Sequence, residues 1–168
     1  TDLMTGGRVT FSKGSLRKAV LASCAVPGAV EPIKEGRQLL ADGGIVSLVP
    51  VHVLREQGAD VVVAVVVDRD ILIWNENKTA KDIYYRAGEI TADKLERYEL
   101  KDADVVIRPH VGGWHWTDFS HLEELVREGE RATRQAVVKI DDALSLWRRW
   151  GRRAKRLLLV GGKDSMSI

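Results

Sequence analysis

Asp42 stands at the end of the apolar run Leu39-Leu40-Ala41 and directly before Gly43 and Gly44. A carboxylate in that setting admits two roles. Asp-Gly between apolar residues is the common signal for a tight β-hairpin turn. A carboxylate can also serve as a general base, provided it comes within about 3 Å of the hydroxyl it deprotonates. Two successive glycines suit the second role, because they let the backbone turn sharply and leave room beside the acid for a nucleophile and a substrate. Spacing alone permits this chemistry without requiring it.

Other reactive residue types are scattered. His115 and His121 flank Trp116 and Asp118, but their spacing matches no zinc signature, and neither His52 nor His110 completes one. His52 reads as a helix-surface or core-edge histidine. Cys24 is the sole cysteine, so no internal disulfide framework exists, and a small buried hydrophobe is its expected role. The serines are Ser12, Ser15, Ser23, Ser47, Ser120, Ser145, Ser165 and Ser167, and none stands in a Gly-x-Ser-x-Gly elbow.

The elements that must position Asp42 follow from punctuation and periodicity. Arg8 to Phe11 reads as a short strand after Gly6 and Gly7. A helix starts at Ser15, a good N-cap, repeats apolar residues at Leu16, Ala19, Val20 and Cys24, and is stopped by Pro27-Gly28. Gln38 to Ala41 predicts a strand entering the Asp42 turn, and Pro50 to Gln57 a second helix with Gly58 as its stop. "ADVVVAVVVD", Ala59 to Asp68, is apolar throughout and β-branched, the pattern of a strand buried on both faces in a parallel sheet. Ala103 to Pro109 repeats it in shorter form. Lys78 to Leu100 is charged and helical in pattern, and another helix runs from after Phe119 to about Lys139, its pattern also compatible with continuation past a break into the basic tail. Strands alternating with helices around an all-apolar strand argue for a layered α/β fold.

With 168 residues, 45% of them hydrophobic, the chain can bury a real core. A formal net charge of +2 gives no reason to expect nucleic acid. The charge is uneven, however. Arg148, Arg149, Arg152, Arg153, Lys155 and Arg156 cluster near the C-terminus, and removing those six leaves the body at about −4. In that tail, over 147–158, Trp147, Trp150, Ala154 and Leu157 recur at helical spacing between the cations. Either the tryptophans pack on the domain beneath a solvated basic face, or they sit at the headgroup level of an anionic membrane. Gly151 weakens a continuous helix there by about 1 kcal/mol, and "GGKDSMSI" at the end is expected to be disordered. No stretch reaches the roughly 18 to 20 apolar residues of a membrane span, and no signal peptide is evident. A cytoplasmic protein is expected, with the tail as a route to the membrane surface. The chain opens on "TDLMTGG" with no initiator Met, as expected of a sequence whose natural start lies upstream.

The segment Ser15 to Val67 resembles the bacterial patatin-like phospholipases. The matching features are the Ala-Ser-x-Ala-x-Pro-Gly stretch at Ala22 to Gly28, Pro32, and a Gly36-containing hairpin leading into Asp42-Gly43-Gly44. Val49-Pro50-Val51 and a buried strand after Gly58-Ala59-Asp60 continue the likeness. Ala103 to Thr133 looks like the closing strand and helix of that family, and the opening fifteen residues like its preceding strand and loop.

The resemblance implies a three-layer α/β/α patatin-like fold, incomplete here, with residues 1–140 forming its C-terminal portion and 141–168 a basic tail. It implies a serine acyl hydrolase acting on phospholipids, lysophospholipids or simple esters through a Ser–Asp dyad without histidine. Asp42 is the position matching the aspartate. No metal or organic cofactor is implied. A carboxylate of ordinary pKa is a weak base toward a serine hydroxyl, and works only if held close and partly desolvated. The family's elbow and its glycine-rich oxyanion loop lie N-terminal to the region covered, so this chain alone is expected to be inactive. Its partner would be the missing N-terminal segment carrying the serine. Failing that, open sheet edges predict self-association. The alternative is a non-catalytic patatin-like fragment, kept for association with a partner chain or a membrane.

Overall fold

A computed structural model of the chain describes residues 1–67, 79–111, 118–145 and 150–151. Among these described residues the fold is mixed α/β, with two two-stranded sheets. The described residues form two compact units, one from residues 1–50 and the helix ending at Glu99, the other from the residues after Pro50 and after Glu99.

In the first unit, α1 (Leu16–Ser23) begins where predicted, with the Ser15 hydroxyl accepting from the Lys18 N–H. β1 (Ile33–Glu35) and β2 (Gln38–Leu40) form an antiparallel hairpin. Its turn needs the positive φ of 58° that Gly36 supplies. The opening residues lie along β2: Leu3 N–H donates to Leu39 O, Ala41 N–H donates to Thr1 O, and Asp2 bridges Leu40. That placement corrects one expectation. Residues 1–3 line the free side of β2, so Arg8–Phe11 forms no strand and is mostly exposed. Buried Asp2 locks this edge, accepting from the N–H groups of Leu39 and Met4 and from the Thr5 hydroxyl. Those bonds, the one from Leu39 foremost, hold its carboxyl below the usual range.

The second unit contains α2 (Val51–Glu56), which starts after Pro50 and ends before Gly58 at φ 93°. β3 (Val63–Val65) pairs in parallel with β4 (Val105–Ile107), Val63 opposite Val105 and Val65 opposite Ile107. Both predicted strands form, shorter than their apolar runs, and the structure pairs them with each other in parallel. The α4 helix (Leu122–Leu144) runs to a few residues beyond Lys139, and its Ala132, Ala136 and Ala143 pack with Val105 and Ile107. Arg55 fastens α2 to this sheet: it pairs with Asp104 and donates to the carbonyls of Ala59, Asp60 and Asp102.

The expectation that Ala59 to Asp68 is buried on both faces is corrected for the described part. Val62, Ala64 and Val66 are buried, but Val63, Val65 and Val67 are 38%, 56% and 66% exposed. In a parallel register, paired residues share a face, so Val63 and Val65 lie on the side of Val105 and Ile107. α4 covers that side over β4, while β3 stays open beside it. The strand's second face is apolar without being covered by the described residues.

The remaining helix, α3 (Ala80–Glu99), belongs to the first unit and is exposed along most of its length. Its first turn is closed by Asp82, which accepts from the N–H and hydroxyl of Thr79. Among the described residues no helix is long and apolar enough to cross a membrane.

Candidate active site

Asp42 does not turn a hairpin. It caps a single 3-10 turn, Gly43–Ile45, that leads away from β2. Asp42 N–H donates to Ala25 O at 3.0 Å, fixing the turn against the loop that follows α1. That loop can approach because Ala22 and Ala25 are small and fully buried. The half-buried carboxylate of Asp42 accepts from the Gly44 N–H at 2.6 Å through Oδ1. Among the described residues this is its one hydrogen bond, which leaves Oδ2 available to another donor.

Space accounts for the second glycine and not the first. A Cβ on Gly44 would lie 3.0 Å from Asp42 Oδ1 and 3.1 Å from Leu48 Cδ2. Any larger residue would therefore push the acid or Leu48 aside. A Cβ on Gly43 would face the Ser23 hydroxyl at 3.5 Å, an ordinary contact. Ser23 thus reaches the same turn from the end of α1, a neighbour that sequence spacing does not reveal.

Past the turn, the N–H groups of Val46 and Ser47 both donate to Gly43 O. Buried Ser47 then donates its hydroxyl to Glu99 Oε1, and the Val49 N–H donates to Glu99 Oε2 at 2.9 Å. Glu99 ends α3 and lies 52 positions from Ser47, so no local pattern could have flagged it. A salt bridge from Lys18 to Glu35 ties α1 to the hairpin on the exposed surface.

The remaining candidates do not assemble into a second site. His52 is on α2, in the other unit from Asp42. His110 follows β4, its backbone N–H donating to Glu128. His121 precedes α4, with Nδ1 3.5 Å from Glu124 and Nε2 3.9 Å from Asp118. His115 lies outside the described residues. No cluster of three potential metal ligands occurs among the described residues. Cys24 caps the C-terminal end of α1 and is exposed, which corrects its expected place as a buried hydrophobe. The turn after α1 buries Ala25 instead and leaves the thiol outside. Of the 147–158 tail, only Trp150 and Gly151 are among the described residues, and both are exposed.

Comparison with known proteins bears on the Asp42 region first. Residues 2–55, which include α1, the hairpin and the Asp42 turn, match the family model described as patatin-like phospholipase. An uncharacterized NTE family protein of Mycobacterium tuberculosis is 24% identical in an alignment covering 81% of this chain and 27% of that protein. A second uncharacterized NTE family protein of the same organism is 42% identical over 65 residues, 39% of this chain and 18% of that protein. The same two likenesses recur in Mycobacterium bovis. The chain therefore spans about a quarter or less of the length of the curated relatives it matches.

Proposed function

We propose that this chain is part of a patatin-like lipid acyl hydrolase and carries the aspartate of its Ser–Asp dyad, Asp42. The serine would lie in a Gly-x-Ser-x-Gly elbow on polypeptide outside this chain. One observation carries the reading. Asp42, within the residues that match the family model, is held by Gly44 on one oxygen and keeps the other oxygen for a further donor.

The proposed chemistry uses that second oxygen of Asp42 as the base. The serine hydroxyl attacks the ester carbonyl as Asp42 Oδ2 takes its proton, and backbone N–H groups stabilise the oxyanion. Collapse of the tetrahedral intermediate expels the alcohol or lysophospholipid, which leaves with the proton from Asp42. Water then attacks the acyl-serine while Asp42 takes one of its protons, and that proton returns to the serine as the fatty acid departs. The Gly44 N–H contributes by fixing the carboxylate's direction, so the rotamer need not be found anew in each cycle.

In this reading residues 1–140 are the C-terminal portion of a three-layer α/β/α domain, and the open face of β3 is covered by residues outside this chain. The basic tail, 141–168, would meet anionic lipid at the membrane surface of a cytoplasmic enzyme. The chain alone hydrolyses nothing. A fluorophosphonate probe tests this directly, with the label mapped by peptide mass spectrometry. The full-length natural protein should label at a serine in a Gly-x-Ser-x-Gly context, and this chain by itself should not label. Modification of Ser23 or any other serine named above would overturn the assignment, as would a full-length protein that takes no label.

A further inference from the structure

Glu99 is a carboxylate in an unfavourable place. It is the last residue of α3 and only 5% exposed. A negative charge at a helix C-terminus opposes the helix dipole, and burial adds a desolvation cost. Acidic neighbours share the last turns: burial first, then the charges of Asp93 and Glu99, push the Glu96 carboxyl above its usual range, with Arg97 acting in the opposite sense. Helix stability alone would not select Glu at this position. Among the interactions of this carboxylate are two hydrogen bonds from one short loop, from the hydroxyl of Ser47 and the N–H of Val49.

Those two bonds bracket Leu48, and Leu48 is the side chain lying against Gly44. Gly44 in turn holds Asp42 Oδ1, while Ser47 N–H and Val46 N–H hold Gly43 O. A continuous chain of contacts thus runs from the end of α3 to the Asp42 carboxylate. We infer that Glu99 is a positioning residue for Asp42, fixing the 43–49 loop so that the Gly44 N–H keeps the acid in one orientation. The inference rests on the proposed role of Asp42 but concerns a residue outside the family match, which ends at residue 55.

Hydrogen-bond capacity predicts which variants matter. In Glu99→Gln the amide oxygen can accept from Val49 N–H and the NH2 group can donate to the Ser47 hydroxyl, so both links survive. In Glu99→Leu neither does. With the full-length natural protein and a soluble carboxylic ester, Glu99→Leu should lower kcat about 100-fold, the order expected of a misplacement near 1 Å. KM should stay within about twofold, since ground-state binding is untouched. Glu99→Gln should recover most of the lost rate. Ser47→Ala removes one link without disturbing α3 and covers the case in which Glu99→Leu fails to fold. It should lower kcat about tenfold, the factor that one lost hydrogen bond of roughly 1.4 kcal/mol implies. A readout free of catalysis is the Gly44 amide proton, which should lose its downfield shift and exchange protection in Glu99→Leu and Ser47→Ala but keep both in Glu99→Gln. Full activity in Ser47→Ala, an unshifted Gly44 amide, or a Glu99→Gln variant as slow as Glu99→Leu would overturn the inference. If wild-type protein hydrolyses no ester, the proposed function fails, and the Gly44 amide still decides whether Glu99 sets the loop.

Discussion

Around Asp42 the buried apolar side chains are Ala22, Ala25, Leu40 and Ala41, whereas the unit built on β3 and β4 buries Val62, Ala64, Val66, Val105 and Ile107 together with the alanines of α4. The first region is shaped by carboxylates: Asp2, Asp42 and Glu99 each accept backbone N–H groups from loops or strand edges. The second is shaped mainly by volume, with branched strand residues against small helical ones, and its polar fastenings include Arg55 with Asp104 and Glu128 with the His110 N–H. Directional bonds specify where an acid points, while apolar packing specifies how close a helix lies to a sheet. A site that needs an oriented carboxylate is better served by the first construction.

Variants can break this contrast. Ile107→Ala, in the middle of the apolar unit, should cost about 2–5 kcal/mol by cavity formation. Denaturant unfolding would measure it, and hydrogen exchange over residues 39–49 should be altered only through global unfolding. A selective loosening of the Asp42 turn would show that the turn depends on packing more than on its own bonds. The open face of β3 supplies a sharper comparison within one strand. Val66→Thr places a hydroxyl in a buried site and should cost about 1–3 kcal/mol. Val65→Thr, at a residue 56% exposed, should stay within about 0.5 kcal/mol. If the two variants cost the same in the full-length protein but differ in this chain, the Val65 face is covered by residues that this chain lacks.

The smallest effect concerns pH. Glu128 accepts from the Arg131 guanidinium and from the His110 N–H, which lower its pKa from 4.5 to about 2. Because the folded value is depressed, the stabilisation is fully present above the unfolded value near 4.5. It is lost as pH falls from there toward 2. The Glu128 side-chain carboxyl carbon, followed by NMR, should titrate well below pH 4, and a midpoint near 4.5 would mean the contact is absent in solution.

Sequence made the local framework legible because local rules govern it. Ser15 as a cap, Pro50 before α2 and Gly58 after it each act within a few residues. The two strands β3 and β4 were also readable from their β-branched runs, but their pairing with each other was not. Nor was burial. "ADVVVAVVVD" states which surfaces prefer to leave water, but not whether this stretch of chain brings enough covering material to both faces. Arg8–Phe11 looked like a strand on composition, yet residues 1–3 lie along that edge of β2. Glu99 carries the same lesson for the site. Its partners are about fifty residues away, and a glutamate in a charged helix looks like any other until the chain has folded.

The central claim is that Asp42 is the base, and Asp42→Asn tests it with the least rearrangement. The amide keeps the shape of the acid and its oxygen can still accept from Gly44, so the circular dichroism spectrum should match wild type. In the full-length natural protein, ester hydrolysis should fall by about 10²–10⁴-fold, the range expected on losing a general base. Turnover close to wild type in a folded Asp42→Asn protein would contradict the account.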